Sequence, residues 1–246
     1  MRSGNPSLRP NTFDNYSNLE TENVMTIQGT VNKTFILLAF VLAAAAYSWY
    51  QYFTNQQVTP YIMIGAFGGL IVGLIVTFWK RSAPVLAPVY AILEGLFVGA
   101  ISALFESSYS GITLMAIVLT FSVLLSLLLA YKSRLIKVTQ NFRLGIIAAT
   151  GGIFLTYLLS LILSFFGIQI PFIHDSGPIG IIVSIVIVII AALNLVLDFD
   201  FIENGSRMNC PKFMEWYGAF GLMVTLIWLY LEILRLLAKI FASRNN

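Results

Sequence analysis

Seven apolar runs divide this 246-residue chain, at about 33–53, 60–79, 82–105, 111–131, 144–167, 178–200 and 215–240. Crossing about 30 Å of hydrocarbon takes roughly 20 helical residues, and each run is near or above that length. The runs are continuously apolar rather than alternating, and lipid cannot satisfy an open strand edge, so helices are the only spanning form left to them. The expected fold class is therefore all-α, a polytopic membrane protein with seven transmembrane helices. Composition agrees: 58% of the residues are hydrophobic and 10% charged, against about a quarter charged in soluble domains.

The chain divides into a polar tail at 1–32, a transmembrane domain at 33–242 and a short C-terminal tail at 243–246. The tail is rich in Asn, Ser and Thr and has neither an early apolar core nor a small-residue cleavage site. It does not read as a cleavable signal, and the first span is expected to act as an uncleaved anchor.

Charge then orients the spans. Arg2, Arg9 and Lys33 precede the first span and Lys80 and Arg81 follow the second. Lys132, Arg134, Lys137 and Arg143 follow the fourth, and Arg207 and Lys212 follow the sixth. The positive-inside rule puts these segments and the N-terminus in the cytoplasm, and seven crossings put the C-terminus outside. Arg235, Lys239 and Arg244 run against that bias, and a re-entrant last segment with both termini inside is the alternative. The net charge of +3 reflects this topology. It forms no stripe or patch for nucleic acid.

A carboxylate at membrane depth costs about 2.5–3.5 kcal/mol on insertion scales, so acids inside the spans are functional candidates by default. Asp198 closes the sixth span and shares a helical stripe with Ser184, Ala191 and Asn194. Asp200 points about 200° away from Asp198 and reads, with Glu203, as a solvated loop face. Glu94 falls near the middle of the third span, either as a neutral hydrogen-bonded packing group or as part of a permeation path. Glu232 has Arg235 three residues on, a sufficient local partner. His174 and Asp175, in the loop before the sixth span, read as solvated, with a possible role in sensing external pH. Gly65, Gly69 and Gly73 on the second span, and Gly95 and Gly99 on the third, recur every four residues and read as close helix packing.

Other chemistries fare worse. Cys210 is the sole cysteine and His174 the sole histidine, which excludes an intrachain disulfide and a clustered Cys/His metal site. A zinc protease lacks His-Glu-x-x-His, a Ser/His hydrolase lacks a histidine inside a span, and the Asp198-x-Asp200 spacing faces its two carboxylates apart. No enzyme activity and no cofactor are expected.

Three segments carry a resemblance. They are Ser82-Ala83-Pro84-Val85-Leu86-Ala87-Pro88-Val89-Tyr90-Ala91-Ile92-Leu93-Glu94-Gly95-Leu96, the Leu197-Asp198 end of the sixth span, and Leu231-Glu232-Ile233-Leu234-Arg235-Leu236-Leu237. In this order across seven spans they resemble the Bax inhibitor-1 family, nearest its bacterial inner-membrane members, over about Val31 to Ile240. The resemblance implies a central seventh helix ringed by six, and a pH-sensitive calcium leak controlled by two aspartates on the sixth and seventh helices. Asp198 matches the first. Thr225 stands where the second is expected, so either Asp198 works alone with a basic partner or Asp200, Glu215 or Glu232 substitutes.

The leading expectation is a cation leak channel, most plausibly for calcium, gated by protonation of Asp198. Glu94, Asn194 and Thr225 would line the ion pathway, and Lys80, Arg81 and Arg143 are the possible latch bases. Calcium ions, protons and the lipid bilayer are then its partners. The competing expectation is a non-conducting regulator that binds another membrane protein, such as a protease or a stress-response component, through its polar tail.

Overall fold

The structure is a computed structural model, and it describes residues 24–55, 58–167 and 177–244. His174, Asp175 and most of the polar tail lie outside the described residues. Seven long helices follow one another: α1 (Ile27–Asn55), α2 (Thr59–Phe78), α3 (Ala83–Ser108), α4 (Ile112–Lys132), α5 (Gln140–Phe165), α6 (Pro178–Arg207) and α7 (Met214–Arg244). All seven are long and apolar enough to cross a membrane.

The helix starts carry local signals. Pro60, Pro84 and Pro178 sit in the first turns of α2, α3 and α6, where the missing N–H costs nothing. Thr139 caps α5 by accepting a hydrogen bond from the Phe142 N–H at 3.2 Å. Between α3 and α4 the chain reverses at Gly111, whose φ of +84° suits glycine. The Glu106 carboxylate accepts from the Gly111 and Thr113 N–H groups at 2.6 and 3.0 Å, binding that turn to the end of α3.

α7 is the centre of the bundle. It packs against α1, α3, α4 and α6, and Met223, Leu229 and Leu234 along it are fully buried. The ring around it is uneven. α2 rests on α3 and α5 on α6, and α5 reaches the central helix through the Tyr157 hydroxyl, which donates to Glu232 at 3.0 Å. Large apolar side chains on the outer helices, such as Phe67 and Phe154, are exposed, as a lipid-facing surface requires.

The glycine rows pack helices as their spacing suggests. A Cβ on Gly95 would lie 2.5 Å from the Val41 carbonyl oxygen of α1, and one on Gly99 would overlap the Ala45 backbone. Gly65 faces the α3 backbone at Leu93 in the same way.

Two boundaries differ from expectation. α1 begins at Ile27 rather than near 33, because residues 24–26 are held in place: the Met25 N–H donates to the Cys210 carbonyl at 2.7 Å, and the Thr26 N–H and hydroxyl both donate to Glu215 at 2.9 Å. Lys33 completes this clasp by an ion pair with Glu215, which is 1% exposed. α6 continues two turns past its apolar run, to Arg207. Asp200 and Glu203 therefore lie on a helix rather than in a loop.

The last helix is a full crossing. At about 1.5 Å per residue its 31 residues span about 46 Å. It starts beside the first residues of α1 and ends beside the start of α6, where the Lys239 ammonium donates to the Gly180 carbonyl at 3.1 Å. Its course from one end of the bundle to the other is that of a spanning helix rather than a re-entrant one. The opposing charges are absorbed locally, Lys239 at Gly180 and Arg235 at Glu232, 2.9 Å away.

Candidate functional site

The ends of α2, α4 and α6 and the starts of α1, α3, α5 and α7 form one pole of the bundle. The basic segments named from the sequence that fall among the described residues gather there, and ion pairs tie its helices together. Glu203 on α6 accepts from Arg134 at 3.0 Å and from Arg207 at 2.5 Å, and also from the Tyr131 hydroxyl of α4. Asp200 pairs with Arg143 of α5 at 2.6 Å.

A cavity of about 1100 Å³ runs from this pole toward the middle of the bundle, between α2, α3, α5, α6 and α7. Arg143, Asn204, Met208 and Tyr217 line it near the basic pole, and Phe97, Trp228 and Leu231 line its inner reach. Glu94, Asn194, Asp198 and Thr225 all lie on its wall. Four residues singled out on three different helices thus converge on one space.

Asp198 holds an uncommon position there. Thr225 of the central helix lies beside its carboxylate, so the residue that stands where the second aspartate was expected is its neighbour. One carboxylate oxygen, Oδ2, is buried and without a hydrogen-bond partner among the described residues. A buried polar atom left unpaired is costly, and such atoms are rare.

Glu94 has Tyr90 one turn earlier on α3 beside it, and lies against Gly69 of α2, where an added Cβ would fall 2.5 Å from its Oε1. The middle glycine of the α2 row therefore makes room for a carboxylate, which spacing alone did not show. The Asn194 amide donates to the Thr150 hydroxyl of α5 and to the Ile190 carbonyl, each at 2.8 Å, so its nitrogen is committed to joining α5 and α6.

The latch expected from the sequence is corrected. None of the three bases pairs with Asp198: Arg143 is engaged by Asp200, the Lys80 ammonium lies 5.4 Å from the centre of the Tyr217 ring, and Arg81 is exposed. The proposed substitutes for the missing aspartate are also spoken for. Glu215 is held by Lys33 and Thr26, and Glu232 by Arg235, Tyr157 and Trp228. Asp200 is not turned away from the site either. It lines the same cavity from the α5 side, because the space is wide enough to meet α6 on two faces.

The sequence reading missed the aromatic wall. Phe201, Tyr217, Phe220 and Tyr90 follow one another along the cavity with ring centres 5.9, 6.3 and 4.9 Å apart. Tyr217 and Phe220 lie among Gly218, Gly221 and Thr225 in the sequence of the seventh span, but aromatic residues are equally common facing lipid.

Six long apolar helices around a central seventh, with a partly polar cavity entering from one pole, define a multi-pass membrane protein of helical-bundle type. A family model described as Bax inhibitor 1 like matches residues 5–242. The chain belongs to that family. No curated protein and no solved structure gives a significant match.

Proposed function

We propose that this protein is a pH-sensitive cation leak channel, with calcium as the main ion, and that protonation of Asp198 sets its conductance. The observation that carries the reading is the unpartnered Asp198 oxygen on the wall of a cavity that also holds Glu94 and Thr225. A carboxylate in this position has two states with different bonding. Ionised, it can only accept, with the Thr225 hydroxyl of the central helix as the nearby donor; protonated, it is itself a donor, and the contact between α6 and the central helix must rearrange. The helix contact between α6 and α7 is the element that such a change biases.

The cavity ends at Trp228 and Leu231, and beyond it α7 is bound to α5 through Glu232 and Tyr157. Conduction therefore requires that the far half part from its present packing. Calcium would pass with much of its hydration shell, since the width leaves room for water. In this reading the membrane is a bacterial inner membrane and the basic pole faces the cytoplasm.

Calcium flux in proteoliposomes of the purified protein tests this directly. The expected result is a leak whose rate changes between about pH 6 and 8 and loses that dependence in Asp198→Asn, since an amide has no proton to lose in that range. Absence of flux from the wild type at equal protein would sink the channel and leave the regulator that contacts another membrane protein. Orientation is checked separately: a cysteine at Ser110, introduced in a chain lacking Cys210, is expected to label only from outside.

A further inference from the structure

The cavity is larger and more aromatic than a path for a small hydrated ion requires. Pockets that enclose drug-sized ligands measure about 300–1000 Å³, and this one measures about 1100 Å³. Charge on its wall favours a cation. Glu94, Asp198 and Asp200 line it against two bases: Arg143, which is already paired with Asp200, and Lys80, whose ammonium lies over the Tyr217 ring. Among the described residues Glu94 and Asp198 have no cationic partner; the hydroxyls of Tyr90 and Thr225 lie beside them, and Asp198 keeps one oxygen unpaired.

The aromatic wall adds a second, independent observation. Ring faces attract cations within about 6 Å of their centres, most strongly where water is excluded. One end of this wall already does so, since the Lys80 ammonium lies 5.4 Å over the Tyr217 ring. The other end, Tyr90, lies beside Glu94, one turn further along α3. A cation moving inward thus meets π faces first and carboxylates next. By contrast, among the described residues no three acidic, histidine or cysteine side chains converge as a resident metal ion would need.

Access fits a greasy ligand. On the side between α2 and α5 the cavity is edged by Leu70, Leu74 and Ile147, all exposed on the lipid-facing surface.

We infer that the cavity is a binding site for lipophilic organic cations, of the quaternary ammonium, phosphonium or protonated amphiphilic amine class, seated on the Phe201–Tyr217–Phe220–Tyr90 wall with their charge toward Asp198 and Glu94. The inference rests on the reading of this cavity as a cation path and names an occupant that would plug it.

Tetraphenylphosphonium and tetraphenylborate, nearly equal in shape and opposite in charge, are the probes. Equilibrium binding to the full chain in detergent, by isothermal titration calorimetry, is expected to show saturable binding of the phosphonium at one site and none of the borate. Asp198→Asn and Glu94→Gln are each expected to weaken it about tenfold, and Phe220→Leu, which keeps apolar bulk but removes the ring, several-fold. Far-UV circular dichroism and elution volume establish that each variant is folded, and Phe220→Leu keeps the test open should a carboxylate variant fail to fold. Equal binding of both probes, absence of phosphonium binding, or wild-type affinity in the folded variants would overturn the inference. Because binding is read without an ion gradient, it is decided independently of calcium flux: a protein that binds the phosphonium but passes no calcium refutes only the channel.

Discussion

Two carboxylates on facing sides of the bundle's centre meet opposite fates. Glu232, in the far half, is 2% exposed and has every need met: Tyr157 and Trp228 donate to it, and Arg235 pairs with it at 2.9 Å. Asp198, in the half near the basic pole, has the Thr225 hydroxyl beside it and an oxygen with no hydrogen-bond partner among the described residues. Membrane depth alone does not mark a functional acid. A saturated carboxylate joins helices, while an unsaturated one beside a cavity is free to change its protonation and its partners.

The largest effect that separates the two halves is expected from Arg235→Ala. It leaves the Glu232 carboxylate buried without its charge partner, a loss of about 3 kcal/mol, read as a lowered unfolding temperature in detergent. An unchanged melt would mean that Tyr157 and Trp228 alone satisfy Glu232. Asp198→Asn is expected to shift the melt little and to flatten the pH profile of calcium flux; a large loss of stability with a normal profile would put Asp198 in the same class as Glu232.

A glycine pair sharpens the contrast further. In Gly99→Ala the new methyl meets the Ala45 backbone, which cannot yield, so α1 and α3 must part; overpacking of this kind costs about 1–3 kcal/mol. In Gly69→Ala it meets only the Glu94 carboxylate end. That side chain can swing into the cavity, so stability is expected to hold while flux changes. The smallest effect is expected from Asp200→Asn. Its partner Arg143 is 52% exposed, and such pairs contribute about 1 kcal/mol or less, so melting and pH response should stay near wild type.

The seven spans were legible because hydrocarbon demands long uninterrupted apolar runs, a signal that needs no tertiary information. Where the ends were misjudged, tertiary contacts decide them: Glu215 draws residues 24–33 onto the start of α7, and Arg143 and Arg134 hold Asp200 and Glu203 on a prolonged α6. In the site, Asp198, Glu94 and Asn194 could be named one by one from their polarity at depth, and Thr225 through the family resemblance. Their meeting in one space could not, since it depends on how α2 and α5 flank the central helix. Helical phase placed Asp200 opposite Asp198 correctly as an angle but not as a location, because a wide cavity reaches both sides of α6.

The clasp at Glu215 also sets an order of assembly. Lys33 and Glu215 stand 182 positions apart, so the first helix enters the bilayer long before its buried partner exists. At about 5–20 residues per second of synthesis the interval is roughly ten to forty seconds. Through that time the start of α1 stays unfastened, and the ring of outer helices surrounds a vacancy that only the last helix can fill. Closure of the bundle therefore waits for the last of the seven described helices, and truncating the chain before Glu215 is expected to leave membrane-inserted helices that quality-control proteases recognise as unfinished.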